Sequence, residues 1–391
     1  FHRNGSASGD DLVFKSETAL LEDHGHEIVR YTVSNDEFDN TGVIGKFSAA
    51  LGMLWSLKNY KKVKKLVETE KPDIVHIHTF FPLLSPSILY AAKRSGAKVV
   101  ATLHDTRFIC PCATSLRGTD LCNRCGDGNY FRMCKYSCFK GSRLQSFIVA
   151  CIFTYHRMRK SFYKQIDRYI CLNENQIQLL KDIGFDENKI VKKYNFVPDV
   201  NACADVTLAS NLPKRYVVFY GRIGEEKGIR ILMRIWDRIQ DIPLVVMGGG
   251  PLEEEFRAWA ETKDNVFFLG YTQHDKCLGI VKKAEFVVFP SIWYEGCSMV
   301  EIETESLGKG LIATDLGFSQ EAIEDGINGF KVPLGSVDGF EQTIRKLWLN
   351  LEQIAVIGEK ARMDYKAKYQ PEDNYRQLML IYNGMIGGNI K

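Results

Sequence analysis

With 391 residues, 45% of them hydrophobic and 25% charged, the chain has ordinary globular composition and is too long for one hydrophobic core, which excludes a disordered or collagenous polymer and predicts two domains. Its longest strongly apolar stretch, residues 147–153, is far short of a membrane span, and nothing at the start reads as a signal peptide. The net charge of +3 is unevenly spread: residues 1–196 carry 29 Lys and Arg against 20 Asp and Glu, a net +9, and the rest carry 22 against 28, a net −6, so the halves are expected to meet different partners, with scattered solvated surface as the plain alternative.

In chain order, residues 14–24 read as an amphipathic helix ended by a turn at Gly25, and 26–32 as a strand. Residues 51–70 form a basic helix stopped by Pro72. A strand at 73–78, a helix at 85–95 and a buried strand at 98–103 follow, a rhythm that predicts a parallel sheet covered by helices on both faces. A Cys-rich stretch, 110–138, interrupts it and holds six of the 11 cysteines. In a long chain of this kind the clustering argues for a reducing compartment, where it more often means metal than disulfides. A long helical segment at 143–164, a strand at 167–171 and a capped helix at 173–182 complete the first half. Residues 193–214, with Pro198 and Pro213, read as an interdomain linker. The second rhythm has strands at 216–220, 244–247, 266–269, 286–289 and 311–314, with helices at 228–238, 252–261, 275–283 and 299–306 between them. Two doubly wound domains are expected, and the cleft between their strand C-termini is the expected ligand site.

Three segments of the second half carry polar chemistry. Residues 221–228, Gly-Arg-Ile-Gly-Glu-Glu-Lys-Gly, follow a strand and open a helix. Gly221 lets the backbone approach a ligand, the helix start favours an anion, and Arg222 and Lys227 add two full charges, which suits a diphosphate. A glycine turn with two surface cations is the plain alternative. A second strand-to-helix turn, Gly-Gly-Gly-Pro, begins at Gly248, where Pro251 is equally explained by capping. In residues 294–303, Glu295 falls in a loop and Glu303 about one turn into a helix that starts at Ser298. A carboxylate accepts two hydroxyl hydrogen bonds at once, which suits a ribose or hexose. Cys297, Ser298 and Met299 present backbone N–H groups at the helix start. An acidic helix face is the competing reading, since Glu301 and Glu305 lie close by.

The order and spacing of these segments, with Gly270, Tyr271, residues 313–315, Glu321 and residues 326–333, resemble the retaining family 4 (group 1) glycosyltransferases, in the subgroup carrying a Cys-rich insertion in the N-domain. Residues 25–27, 72–78 and the Thr-Leu-His-Asp at 102–105 look like that family's first domain, and 369–385 like its closing helix. The resemblance implies an α/β architecture, GT-B, with two doubly wound Rossmann-like domains facing across a cleft. Residues 1–196 would be the acceptor-side domain with the insertion at 110–138, residues 197–368 the nucleotide-sugar-binding domain, and 369–391 a closing helix crossing back to the N-domain. It further implies that Arg222 and Lys227 hold the donor diphosphate, Glu303 the ribose hydroxyls and Glu295 the transferred sugar. The backbone at Cys297, Ser298 and Met299 would touch the same sugar, the backbone at Gly270 and Tyr271 would meet the base, and His104 would contact the sugar from the facing domain. A lone His at a strand end is more often a packing residue; its Thr-Leu-His-Asp setting raises it.

Two departures from the family pattern stand out. Residues 1–11 resemble only the glycine-rich loop that usually follows an opening strand, so that strand is expected to be absent, with Gly9 and Asp10 as acceptor-side candidates. Cys297 and Ser298 replace more usual aromatic and small residues. No Asp-x-Asp pair occurs, so no catalytic metal is expected, with Arg222 and Lys227 supplying the cations. Retention without a protein nucleophile fits same-face substitution within an ion pair. Cys122 and Cys125 form a Cys-x-x-Cys knuckle, and Cys110 and Cys138 best match the insertion of the relatives. These four are the expected ligand set for a structural zinc, with free thiols or disulfides as the alternative. The segment 143–168 mixes Phe147, Ile148, Ile152, Phe153, Phe162 and Tyr163 with Arg157, Arg159, Lys160 and Lys164. It reads either as a face for anionic membrane and a lipid-linked acceptor or as a helix whose apolar side is core.

The expected activity is hexosyl transfer from a nucleotide diphosphate-sugar donor to an acceptor hydroxyl, in surface polysaccharide or glycolipid assembly. The expected location is cytoplasmic, with peripheral contact at the inner membrane face left open. A nucleotide-sugar 2-epimerase of the same architecture and a non-catalytic GT-B partner subunit are the alternatives. The Arg222/Lys227 spacing and the His104 segment favour transfer. Nucleic acid is not an expected partner, because the basic half holds no recognisable module.

Overall fold

The computed structural model describes residues 2–4, 9–34, 51–94, 96–117, 120–202 and 212–387. The chain divides into two compact units, one of Phe1–Arg117, Cys122–Tyr194 and Glu372–Lys391, the other of Gly118–Leu121 and Asn195–Pro371. Among the described residues no helix is long and apolar enough to cross a membrane.

In the first unit, β1 (His2–Asn4) pairs in parallel with β2 (Thr32–Ser34). The opening strand expected to be absent is thus present as three residues, and the strand expected at 26–32 is confined to 32–34. Helix α1 (Gly9–Asp23) starts five residues earlier than its apolar pattern suggests, because Asp10 and Asp11 favour the positive end of the helix. The basic helix of residues 51–70 is interrupted at Ser56, whose hydroxyl accepts from Asn59 N–H and caps α2 (Leu57–Glu70). Strands β3 (Ile74–Ile77), β4 (Lys98–Thr102), β5 (Arg168–Cys171) and β6 (Ile190–Lys192) form a parallel sheet in that order.

Alternation along these strands sorts the core into two layers. Val75, Ile77, Val99, Ala101 and Tyr169 pack with Val63 and Val67 of α2 and Ile88 and Leu89 of α3 (Ser87–Arg94). Val100 and Ile170 face Leu21 of α1 on the other side. The helix expected at 143–164 is two, α4 (Arg143–Met158) and α5 (Ser161–Gln165), separated where Lys160 takes a left-handed conformation. Asn173 caps α6 (Glu174–Asp182) through Gln176 N–H.

The second unit has six parallel strands: β7 (Val217–Tyr220), β8 (Leu244–Met247), β9 (Val266–Gly270), β10 (Phe286–Phe289), β11 (Gly310–Thr314) and β12 (Gly329–Val332). Their order across the sheet is β9-β8-β7-β10-β11-β12. Every residue of β7, β8, β10 and β11 is buried, as a parallel sheet covered on both faces requires. Helices α7 (Ile229–Trp236), α8 (Glu253–Ala260), α9 (His274–Lys283), α10 (Met299–Ser306), α11 (Val337–Trp348) and α12 (Leu351–Lys368) connect or cover the strands. The strand order reverses between β7 and β10. In open parallel sheets ligands bind outside the carboxyl ends of strands at such a reversal. The last helix, α13 (Pro371–Ile386), packs Leu378 and Tyr382 against Leu21, Val100 and Ile170.

Candidate functional site

The loops leaving β7, β8 and β10 meet at that reversal. Gly221 N–H donates to Met247 O at 3.0 Å and Ile223 N–H to Gly249 O at 2.9 Å, which laces the two glycine turns together. A Cβ on Gly248 would lie 1.7 Å from Gly221 O, and one on Gly228, where φ is +71°, 1.8 Å from Pro290 O. No side chain fits at either place, so the backbone packing itself demands glycine. Pro290 and the residues after it belong to the loop that delivers Glu295.

That loop brings two expected site residues into contact. Lys227 Nζ lies 2.5 Å from Glu295 Oε1, which also accepts from Ser291 Oγ at 2.9 Å. Arg222 pairs with Glu226 at 3.2 Å, and its side chain is 61% exposed. The turn at Gly317 backs the loop: Phe318 N–H donates to Glu295 O at 3.1 Å. Ser291 and Gly317 were invisible as site residues because neither carries a charge or a motif.

Helix α10 presents the second carboxylate. Ser298 takes the N-cap position without a side-chain capping bond, so the helix-start amides are not capped by its hydroxyl. Cys297 is buried: its Sγ accepts from Asn195 N–H at 3.4 Å and its carbonyl from Asn195 Nδ2 at 2.9 Å. Glu303 is buried, and its Oε1 is 2.8 Å from His274 Nε2. The hydrogen bond to Glu303, against partial burial, raises the His274 imidazole above its ordinary range. Sequence reasoning missed His274; its position at the start of α9, after Gly270 and Tyr271, was the available signal. Gly270 O accepts from Gly248 N–H at 2.9 Å, and Tyr271 is 76% exposed beside it. The same helix buries Glu301 and Glu305. Burial, then the nearby Glu295 charge, pushes Glu301 up to about 8, and burial with Glu301 raises Glu305 well above the carboxylate range.

The family model for group 1 glycosyl transferases matches residues 214–350, and that for Glycosyltransferase Family 4 matches residues 18–199. The chain is thus similar to group 1 glycosyltransferases in both halves. It is 30% identical to the D-rhamnosyltransferase WbpZ of Pseudomonas aeruginosa over 161 residues, 40% of this chain and 42% of that protein. It is 21% identical to the O-antigen chain mannosyltransferase C of Escherichia coli over 345 residues, 85% of this chain and 80% of that protein. HepE of Anabaena, solved in complex with UDP, superposes with a TM-score of 0.67 at 15% identity, covering 98% of each chain. The fold of the chain is GT-B.

In the first unit, His104 follows β4 and its Nε2 lies 3.0 Å from His78 Nδ1. Asp10 Oδ2 accepts from Thr79 Oγ1 at 3.2 Å, in the first turn of α1. In the Cys-rich stretch the thiol that joins its neighbours is Cys112, which the expected quartet left out. Contact with Cys112 lowers Cys110 to about 6 and Cys138 to about 7, while Cys112 itself is pushed up. Burial, then the Cys110, Cys122 and Cys138 charges, raises Cys125 to about 12. Among the described residues the four thiols Cys110, Cys122, Cys125 and Cys138 do not close to within 4.8 Å of one another; Glu17, His76 and His78 do. Of the apolar residues expected on a membrane face, Ile152, Phe153 and Phe162 are core. Phe147, also expected there, is exposed, and so are Leu144, Tyr155 and Met158 of α4.

Proposed function

We propose that the chain is a group 1 glycosyltransferase that moves a hexosyl group, with retention, from a nucleotide diphosphate-sugar to an acceptor hydroxyl in surface polysaccharide or glycolipid assembly. The observation that carries the reading is the 2.5 Å contact between Lys227 and Glu295 at the strand-order reversal. A cation for the diphosphate and a carboxylate for sugar hydroxyls must sit about one glycosyl-phosphate linkage apart, and these two side chains do. On donor binding, Lys227 exchanges Glu295 for phosphate oxygen and Glu295 is released to the sugar hydroxyls. Arg222, held at the surface by Glu226, completes the charge on the diphosphate. As the bond from the anomeric carbon to the phosphate oxygen breaks, the electron pair leaves with that oxygen. Lys227 and Arg222 stabilise the charge that develops there. The acceptor oxygen attacks the same face of the sugar, and its proton passes to the leaving phosphate. Glu303, oriented by His274, takes the ribose hydroxyls; Gly270 and Tyr271 meet the base; the amides of Cys297, Ser298 and Met299 meet the sugar.

The two cations make a catalytic metal unnecessary in this reading. A structural zinc would take four thiolates from among Cys110, Cys112, Cys122, Cys125 and Cys138. The net +9 of residues 1–196 and the exposed stripe of α4 fit an anionic, lipid-linked acceptor reached from the cytoplasmic membrane face. HepE's complex with UDP supports the donor class, and the O-antigen chain in the name of one relative supports the pathway. The test is incubation with radiolabelled nucleotide sugars, with and without lipid-linked acceptors. Acceptor-dependent release of nucleoside diphosphate with an unchanged anomeric configuration in the product is expected. Absence of both donor binding and transfer across the common nucleotide sugars overturns the reading. Acceptor-independent inversion at the sugar's second carbon identifies the epimerase instead.

A further inference from the structure

The loop that follows β10 holds the Glu295 carboxylate in one place. Glu295 N–H donates to Trp293 O at 2.9 Å, and Glu295 O accepts from Phe318 N–H at 3.1 Å. The turn at Gly317 packs directly on this backbone: a Cβ there would lie 2.8 Å from Glu295 N and 2.9 Å from Glu295 O. The side chain is held as well. Ser291, itself buried, has one hydroxyl proton and two acceptors in range, Glu295 Oε1 at 2.9 Å and Glu226 O at 3.1 Å. Glu226 O already accepts from Ile292 N–H at 3.0 Å. A carboxylate is the stronger acceptor, so the Ser291 proton goes to Glu295. Trp293 N–H closes the turn by donating to Ser291 Oγ at 3.3 Å.

Lys227 is the mobile partner. Its ammonium ends a flexible stem, lies 5.3 Å from the centre of the Phe289 ring and meets Glu295 Oε1 at 2.5 Å. The two side chains are only 21% and 13% exposed, so water and salt screen the pair weakly. A diphosphate that takes Lys227 has to draw it away from Glu295. The loss of that charge-assisted contact lowers the affinity of whatever binds. A nucleotide sugar offsets part of the loss, because its hydroxyls donate to the carboxylate in place of the ammonium. The spent nucleoside diphosphate lacks the sugar and offsets none of it.

We propose that Glu295 competes with the nucleoside diphosphate product for Lys227 and so weakens the hold on the spent nucleotide, while the intact nucleotide sugar is largely spared. The inference rests on the reading of residues 221–228 and 290–295 as the donor site, and it gives Glu295 a second task beside touching the sugar. The cation is withdrawn from the diphosphate only once the sugar has been transferred.

The test is calorimetric titration of the whole chain, without acceptor, with UDP against UDP-glucose, GDP against GDP-mannose and dTDP against dTDP-glucose. The pair that the wild-type protein binds most tightly is carried to the variants. Glu295→Gln keeps the size of the side chain and removes its charge. It is expected to tighten the nucleoside diphosphate about tenfold and to change the nucleotide sugar by about threefold or less. Glu295→Asp keeps the charge and shortens the reach by one methylene, and is expected to tighten the diphosphate by about threefold or more. Unchanged diphosphate affinity in either variant overturns the proposal. Equal tightening of diphosphate and nucleotide sugar also overturns it, since the general field of a carboxylate acts on both alike. On a Lys227→Met background the effect of Glu295→Gln on the diphosphate is expected to shrink to about twofold, and a persisting gain of about tenfold overturns the competition. Should Glu295→Gln not fold, Glu295→Asp decides. Wild-type protein that binds none of these nucleotides removes the donor-site reading and the proposal with it. Wild-type protein that binds them, with Glu295 variants that shift nothing, removes the proposal alone.

Discussion

Lys227 and Arg222 differ in a way that only their surroundings reveal. Each is expected to contribute one charge-assisted contact to the bound diphosphate, worth about 1.5–3 kcal/mol. Lys227→Ala and Arg222→Ala should each lower donor kcat/KM by about 10- to 150-fold, measured with saturating acceptor. Their effects on stability should diverge. Arg222 is mostly solvated, so its loss should leave the melting temperature unchanged, whereas Lys227→Ala strands the half-buried Glu295 and should lower it. Wild-type donor use by both variants would dismiss the diphosphate assignment. Deeper in the first unit, Glu17→Ala leaves Lys193 buried without its carboxylate, which should cost about 3–5 kcal/mol in urea unfolding. Replacing both partners, Glu17→Leu with Lys193→Met, should recover most of that loss. Lys227, Glu295 and Glu303 stood out as candidates by charge and spacing beside glycine turns, with surface cations and an acidic helix face as the alternatives. His274 and Ser291 were not, since a lone polar residue gains meaning only from what it touches.

At the level of elements, strand positions followed from apolar runs, and most boundaries in the second unit lie within a residue or two of expectation. Helix interruptions did not follow. The breaks at Ser56 and Lys160 occur where capping and a left-handed residue redirect the chain, and periodicity reads across both. The redirection at Lys160 leaves two apolar faces on α4. One is core; the other exposes Leu144, Phe147, Tyr155 and Met158. Sedimentation with vesicles should show binding to anionic but not neutral lipid at low salt, with about 1 kcal/mol per basic residue near the surface and loss at high salt. Phe147→Ser with Met158→Ser should weaken that binding without lowering the melting temperature, because these side chains are 51% and 79% exposed. Equal, negligible binding to both vesicles would remove the membrane contact and leave glycosyl transfer intact.

For the whole molecule, the two units should respond to pH in opposite directions. His76, His78 and His156 of the first unit are lowered, chiefly by burial. Their unfolded forms take up protons below the ordinary value of 6.5, so their contribution is complete above that pH and is lost as pH falls. His24, raised at the exposed surface, opposes this weakly. In the second unit Glu301 is raised to about 8 and stays neutral in the folded state, whereas the unfolded chain ionises near 4.5. That contribution is complete at low pH and is lost as pH rises through 8; Glu305 and the raised His274 act in the same sense. Segment-resolved hydrogen exchange in urea, corrected for intrinsic rate, at about pH 5.5 and about pH 8 should show the first unit gaining protection and the second losing it. Parallel movement of both units would contradict the assignment of these buried groups.

The alternation of apolar runs and glycine turns was enough, read along the chain, to settle two doubly wound units and the order of the glycine-turn segments. Burial along a strand and a tight strand-to-helix turn are local demands that each stretch must meet by itself. The charged pair Lys227 and Glu295, 68 residues apart in the chain, was likewise open to reading as residue types in a pattern. What the tertiary structure alone decided is partnership: Lys227 with Glu295, Glu303 with His274, Cys112 between Cys110 and Cys138, and Glu17 with two histidines and Lys193, 176 residues away. Those contacts depend on strand register and on the strand-order reversal. Register and strand order are set by the packing of the whole sheet, and no short stretch of sequence carries them.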